Sequence, residues 1–547
     1  MAVSESSRQD AAFGWWPLGT RRLEGSITSG RAIDGLIGGV LAATTFLVHN
    51  VSYALSAPFW IDESWVAVST RVRLSAVWHV TAVTPLGWTL LLRTMVLGGE
   101  QRYRLLPLIF SALTVIAAYS LARVLPWRSE LWARLAAVLA GLAVLLAPSS
   151  LLRNDLKQYT ADAFVTLIVW YLVARLERDW SRKALVTVGV GCLLAFLISA
   201  VALFVGVAAF ASIVIASLIQ RNRRRTVEAL VVGVATGLSL GVLFAGLYAS
   251  HVQASLSAYW KLYYLPVNQG WGPSLHYLNA RGGQMATYLG MGPLLLAISL
   301  VVTGVVTLAV SGRPALAFAA PILVIEMVVL GAVRKYPLFD MRTSHFLTVT
   351  FAVYAAVGVA GLCFLIARRQ VLVGGLVAAL AAGLFLNNVR HDFRKATIPP
   401  EDVRTATAYV AAHRKAIDII IVSASASEGF SYYWPIGTPA WHPSHATATE
   451  FQTSFPDQPH IVVAPDRLAQ GVKAAMINAT TLARRTPGAR IWLVRMHLGV
   501  PEMRLWNGAL STYRVHATQV IPCSLLLLTP LAPGSNSDFS GSQRTGC

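Results

Sequence analysis

Apolar runs of about twenty residues recur along this chain, and no other feature constrains its fold as strongly. A run of that length, wound as a helix, spans the hydrocarbon core of a bilayer. About eleven runs qualify: 32–55, 105–124, 131–148, 160–176, 184–198, 200–219, 227–250, 289–310, 315–333, 344–367 and 370–387. Only 13% of the 547 residues are charged, against about 25% in a typical soluble protein. The mean hydropathy of +0.57 agrees. The chain therefore reads as an α-helical multi-span membrane protein. Pro85–Leu97 is apolar but short, about 13 residues, with Arg93 inside it. It reads as a helix lying on or dipping into the membrane face.

The net charge of +20 raises the question of nucleic acid. The basic residues are scattered over short loops between the runs, which excludes that reading in favour of loop charge bias and an anionic membrane surface. If 85–97 does not cross, alternate loops fall on opposite sides. One side holds Arg21-Arg22, Arg123, Arg128, Arg134, Arg175 to Lys183, the stretch Arg221-Asn222-Arg223-Arg224-Arg225, Arg313 and Arg368-Arg369. By the positive-inside rule that side is cytoplasmic. The other side, facing outward, holds loops 57–104, 149–159, 251–288 and 334–343.

Four cysteines suggest no structural metal. Cys192 and Cys363 lie in apolar runs as packing residues, and Cys523 and Cys547 could pair. The first apolar run is long enough to span, so it reads as an uncleaved first helix. Residues 1–31 form a cytoplasmic N-terminal segment, and 32–387 a transmembrane domain. Beyond it, Ile417–Val422, His460–Ala464 and Arg490–Val494 read as short buried strands. Helical stretches Asp402–Lys415 and Asp466–Arg485 alternate with them. Residues 388–532 thus form a small extracytoplasmic α/β domain. The Gly/Ser-rich tail 533–547 reads as disordered.

The outward loops carry the chemistry. Asp62 and Glu63 stand in Trp60-Ile61-Asp62-Glu63-Ser64-Trp65 and can accept a proton or hold a divalent cation. Arg153 and Lys157 are four apart and would share a face if that segment is helical. Tyr159 follows at the mouth of a span. Arg334, Lys335, Tyr336 and Arg342 form a second cationic group. Cations at a membrane edge suit a phosphate whose tail stays in lipid. A carboxylate opposite them suits activation of a hydroxyl.

That pairing is the chemistry of sugar transfer from a lipid phosphate. Arg and Lys stabilise charge growing on the leaving phosphate, each such donor being worth about 100-fold or more in rate. Asp62 would remove the acceptor proton, and in-line displacement would invert the anomeric centre. Glu63, His79 and His276 are candidate ligands for a divalent cation, although no metal-spacing motif surrounds either histidine. Each residue also has a plainer reading. Asp62-Glu63 could be a solvated helix end, Lys157 and Arg334-Lys335 snorkelling anchors, and the Tyr and Trp residues an interfacial belt. Glu326, inside a run, reads as an interhelical hydrogen-bonding residue.

In these residues the chain resembles the GT-C superfamily of integral-membrane glycosyltransferases. It looks most like the branch of protein O-mannosyltransferases and bacterial polyprenyl-phosphate-sugar transferases. The resemblance rests on Asp62-Glu63 in the first outer loop and on Thr84-Pro85-Leu86-Gly87-Trp88. It continues through Gly99-Glu100, Arg104-Leu105-Leu106-Pro107, Pro148, Arg153 to Tyr159, Tyr336-Pro337 and Arg342, over residues 32–390. It implies a polyprenyl-phosphate sugar donor, a cell-envelope acceptor that is a glycan, lipid or protein, and extracytoplasmic catalysis with Asp62 in the acid/base position. Relatives often carry His-Pro-Pro or Lys-Pro-Pro where this chain has Thr84-Pro85-Leu86. Two other classes compete. A transporter or lipid flippase would place ionisable residues at mid-membrane in paired halves. A non-catalytic envelope-assembly scaffold would tolerate joint loss of Asp62, Lys157 and Arg342.

Overall fold

The computed structural model describes residues 27–79, 84–95, 100–151, 155–248, 260–367, 402–443, 451–513, 515–522 and 524–530, with scattered positions of 370–383. The tail 533–547, Arg153, Cys523 and Cys547 lie outside the described residues, as does most of 370–387. The chain divides into two compact units. One comprises Met1–Ala54, Arg104–Ser250 and Ser257–Lys395; the other comprises Leu55–Tyr103, His251–Leu256 and Ala396–Cys547. The first outward segment therefore folds with the C-terminal domain.

The first unit is a helical bundle. Among the described residues, seven helices are long and apolar enough to cross a membrane: Gly30–Val48, Arg102–Val124, Tyr159–Arg178, Ala202–Ile219, Arg223–Leu247, Pro314–Ala332 and His345–Ala367. The pair Trp271–Leu289 and Leu294–Val310, bent by 73°, makes an eighth if taken as one span. Of the remaining expected spans, 370–387 lies largely outside the described residues and two are short helices. Glu130–Leu145 and Arg182–Ile198 are helices, but of only 16 and 17 residues. The run 32–55 breaks at Val48, with a separate short helix at Val51–Ser56. Most of the loop expected over 251–288 is the Trp271–Leu289 helix where it is described. That helix ends because Gly290 and Gly292 adopt φ of +70° and +72°, and Pro293 follows.

His345–Ala367 is the most buried of the candidate spans, and Arg223–Leu247 the least. Two glycines permit the closest helix approach. A Cβ on Gly304 would lie 2.0 Å from the Tyr354 carbonyl oxygen, and one on Gly358 would lie 2.5 Å from that of Leu300. Small residues at such crossings are how helices pack where lipid supplies no hydrophobic drive. Cys192 and Cys363 are buried and unpaired, as packing residues. Glu326 does not meet the interhelical expectation: its Oε2 is buried without a hydrogen-bond partner among the described residues. At one end of the bundle Asp34 receives the Tyr119 hydroxyl at 2.8 Å, Arg123 at 3.0 Å and Arg134 at 3.2 Å.

The second unit is built on a five-stranded sheet in the order β4-β1-β5-β7-β6. These strands are β1 (Ile419–Val422), β4 (Ile461–Val463), β5 (Ile491–Val494), β6 (Val515–Ile521) and β7 (Leu525–Pro530). A separate antiparallel pair joins β2 (Ala440–Pro443) to β3 (Phe451–Ser454). β4, β1 and β5 are parallel, and β7 and β6 add antiparallel. The three strands expected from sequence are these parallel ones. Their runs of Ile and Val are buried throughout β1 and β5, as a sheet covered on both faces requires. Asp418 locks the entry to β1. Burial alone would raise its carboxyl, but Arg490, the Lys415 N–H and the Trp492 indole N–H hold it below the usual range. The Arg490 contact is 2.7 Å.

Candidate active site

Asp62 and Glu63 occupy the first turn of the helix Ile61–Ser69, in the second unit. They have different surroundings. Glu63 is fully buried, and its Oε2 accepts the Trp60 N–H at 3.4 Å. It thus reaches back to an otherwise unsatisfied donor at the helix start. Asp62 is half-buried and shares the accessible side of the helix with Trp65, three residues on. The opposite side, from Val66 to Ser69 and including Ile61 and Ser64, is buried.

The C-terminal domain holds this helix. The chain leaving the carboxyl end of β1 forms the helix Ser427–Tyr433, in the place where open α/β sheets keep their ligands. Here that place serves the first outward segment. The Phe59 N–H donates to the Tyr433 hydroxyl at 2.8 Å, and the Phe59 ring stands 5.1 Å from that of Tyr432. Arg71 donates to the Tyr432 carbonyl at 2.7 Å and lies 3.6 Å over its ring. Arg404 donates to the Ser56 carbonyl at 3.1 Å. Ile61 joins the core formed by Val403, Ile420, Phe430 and Trp492. Gly429 lets the two helices meet: a Cβ there would stand 2.6 Å from Val403 Cγ1 and 3.2 Å from Ser64 Oγ.

The expected phosphate-binding residues belong to the helical unit. Lys157 and Tyr159 are buried, and the Tyr159–Arg178 helix begins only at Tyr159. Residues 155–158 are bends and a turn, so the i,i+4 spacing of Arg153 and Lys157 does not describe a helix face. In the second cationic group, Arg334 and Lys335 are exposed. Arg334 takes φ +57° and donates to Asn268 Oδ1 at 3.3 Å. Asp340 shapes the turn that follows, its Oδ2 accepting the N–H groups of Arg342 and Thr343, each at 3.0 Å. The Tyr336 hydroxyl donates to the Thr343 carbonyl at 2.7 Å. Burial, and then the charges of Asp162 and Asp340, push the Tyr336 phenol well above its ordinary value. The Tyr336 turn and the first turn of the Tyr159 helix, which holds Asp162, are therefore neighbours within this unit.

Sequence reading passed over several polar residues here. Asp162 is buried and accepts the Ser199 hydroxyl at 2.7 Å. A small pocket is lined by Thr45, His49, Ser111, Thr114, Ser150 and His345. The Thr45 and Ser150 hydroxyls and His49 Nδ1 have no hydrogen-bond partner among the described residues. A cavity with several such atoms is suited to ordered water or a small polar group. Burial lowers His49 to about 4, so its imidazole is neutral at pH 7.

The linkage has a definite sign. A folded-state value below the free one means that unfolding takes up a proton, so the stabilisation is complete above pH 6.5 and is lost as pH falls towards 4. Its size is about 3 kcal/mol. Melting temperatures of the detergent-solubilised protein should fall across that window, and His49→Gln should flatten the fall. An acid limb identical in the variant would assign it to other groups.

The candidate metal ligands do not assemble. Glu63 caps its own helix, His276 is exposed on the Trp271–Leu289 helix, and the side chain of His79 lies outside the described residues. Among the described residues no three His, Cys, Asp or Glu side chains group as a metal site.

No protein-family model and no curated protein matches the sequence. Solved structures do. The oligosaccharyltransferase of Archaeoglobus fulgidus, in complex with Zn and sulfate, aligns with TM-score 0.51 and 11% identity over 84% of this chain and 68% of that one. AglB of the same organism, in complex with an inhibitory peptide and a dolichol-phosphate, aligns with TM-score 0.51 and 12% identity over 93% and 75%. An A. fulgidus oligosaccharyltransferase tethered to an acceptor peptide containing the NVT sequon aligns with TM-score 0.51 and 11% identity over 91% and 74%. At such identity the shared property is the fold. These proteins are oligosaccharyltransferases, so the match does not single out the O-mannosyltransferase branch that the motifs suggested. The chain is a multi-span helical membrane protein with a small C-terminal α/β domain, and it shares its fold with these Archaeoglobus fulgidus structures.

Proposed function

We propose that the protein is an inverting glycosyltransferase of the extracytoplasmic membrane face, moving a monosaccharide from a polyprenyl-phosphate donor to a cell-envelope acceptor. The observation that carries this reading is the half-buried Asp62 in a chain of this fold, beside a glutamate already committed as a helix cap. Asp62 takes the proton of the acceptor hydroxyl as that oxygen attacks the anomeric carbon. The bond from that carbon to the phosphate oxygen breaks, and its electron pair leaves with the lipid phosphate. Lys157 and Arg342, with Arg153, Arg334 and Lys335, stabilise the charge that grows there. Tyr159 and Tyr336 shape the same region. The dolichol-phosphate in complex with A. fulgidus AglB is a lipid phosphate of the class proposed for this donor. The catalytic face and the C-terminal domain are assigned outside by the positive-inside rule.

The full chain in vesicles, given a labelled polyprenyl-phosphate sugar, should form a new glycoside of inverted configuration. Lys157→Gln should cut kcat/KM for the donor about 100-fold. Unchanged donor kinetics in that variant would remove Lys157 from the phosphate site. Movement of intact lipid between leaflets without any glycoside would overturn the reading as a whole.

A further inference from the structure

We propose that the helical unit carries a specific site for the phosphodiester headgroup of an anionic phospholipid, at the end of the bundle where its basic turns gather. Three helix-to-helix turns meet there around an open pocket lined by Glu177, Trp180, Ser217, Gln220, Arg225 and Gly312. Glu177 is already engaged: its two oxygens accept the N–H groups of Ala315 and Leu316 at 2.7 and 3.3 Å. It caps the Pro314–Ala332 helix rather than opposing an anion.

The cations divide into framework and reserve. Glu228 binds Arg182 at 2.9 Å, Arg224 at 3.1 Å and the Trp180 indole N–H at 3.3 Å. That clasp fixes the Trp180 ring, and the Arg225 guanidinium lies 4.9 Å over it. Arg225 lines the pocket without an acidic partner among the described residues, and the same holds for the exposed Lys183, Arg221 and Arg223 nearby in the chain. Arg221 adds a second, independent observation. It takes φ +55° at the end of Ala202–Ile219, where the Asn222 N–H returns to the Ser217 carbonyl at 3.0 Å. Glycine is the residue that fits this left-handed position without cost. An arginine there sets a cation next in the chain to the lining residue Gln220 at the expense of backbone comfort.

The occupant is a lipid because the neighbouring surface is apolar. Val227, Leu230, Val231 and Val234, on the helix that starts at Arg223, are exposed, so acyl chains can lie along it below the headgroup. The site does not depend on the activity proposed above.

Native mass spectrometry of the full-length protein in detergent tests this, with phosphatidylglycerol and phosphatidylcholine as competing probes. The wild type should retain one phosphatidylglycerol in preference. Arg225→Gln should weaken that first binding about fivefold. Gln220→Trp, which narrows the mouth at an exposed position and leaves charge unchanged, should weaken it similarly. Arg31→Gln removes one charge from an exposed position outside the pocket and should leave it within twofold. Equal losses in Arg225→Gln and Arg31→Gln would show diffuse surface attraction and overturn the site, as would full retention in Gln220→Trp. Displacement of the lipid by millimolar inorganic phosphate would reassign the pocket to free anions.

Discussion

Asp62→Asn should abolish glycosyl transfer while leaving insertion and thermal unfolding unchanged. Loss of a positioned general base costs about 10²–10⁴-fold. The amide keeps the shape of the carboxylate and takes no proton, so the loss should appear in kcat rather than in donor KM. Glu63→Gln is the informative neighbour. It keeps an acceptor for the Trp60 N–H, so it should retain most activity, whereas Glu63→Ala should lose stability by about 1 kcal/mol, as other lost caps do. Full activity in Asp62→Asn would remove the base from the mechanism. Equal collapse of Asp62→Asn and Glu63→Gln would instead indicate that the two acids act together.

Gly429→Val should reduce kcat about 100-fold with little change in donor KM. The added Cβ would stand 2.6 Å from Val403 Cγ1, 3.2 Å from Ser64 Oγ and 3.4 Å from Met496 Cε. Val403 is stiff and buried, so the Ser427–Tyr433 helix must back away from it, and the tight Ser64 contact passes that shift to the Asp62 helix. A displacement of about 1 Å in a reacting group can cost that much. Tyr433→Phe, which only removes the acceptor for the Phe59 N–H, should lower kcat less. Comparing the pH profile of each variant with the wild type separates displacement of the base from general loss of folded protein, because unfolding lowers amplitude without moving the profile. A kcat unchanged in both variants would free the helix from the C-terminal domain.

The sequence made the membrane class plain, because runs of about twenty apolar residues admit few other folds. Two expected spans are helices of only 16 and 17 residues, and one helix was hidden in a polar stretch. Trp271–Leu289 carries His276, Asn279 and Arg281 with Gly282 and Gly283, so its composition resembles a loop. The parallel strands were legible from their Ile and Val runs. The antiparallel β6 and β7 were not, since Val515–Ile521 alternates polar and apolar residues on an outer strand. At the candidate site the Asp62-Glu63 pair stands out in the sequence, but the different surroundings of its two carboxylates do not. The spacing from Trp60 to a glutamate three residues later was the available sign of a cap. His49, Asp162 and His345 carried no such sign. Each is a single polar residue at the edge of an apolar run, and its importance comes from neighbours far away in the chain.

The grip of the Ser427–Tyr433 helix on residues 55–71 also sets an order of events during synthesis. The ribosome delivers residues 55–71 hundreds of residues before the domain that holds them. Until the last part of the chain is made, Phe59 and Ile61 lack their permanent neighbours, so the nascent protein must pass through a stage with an unsupported hydrophobic segment. Chains cut short before β1 could insert fully and still be inert, and chaperones of the outer compartment would find their natural substrate in that interval.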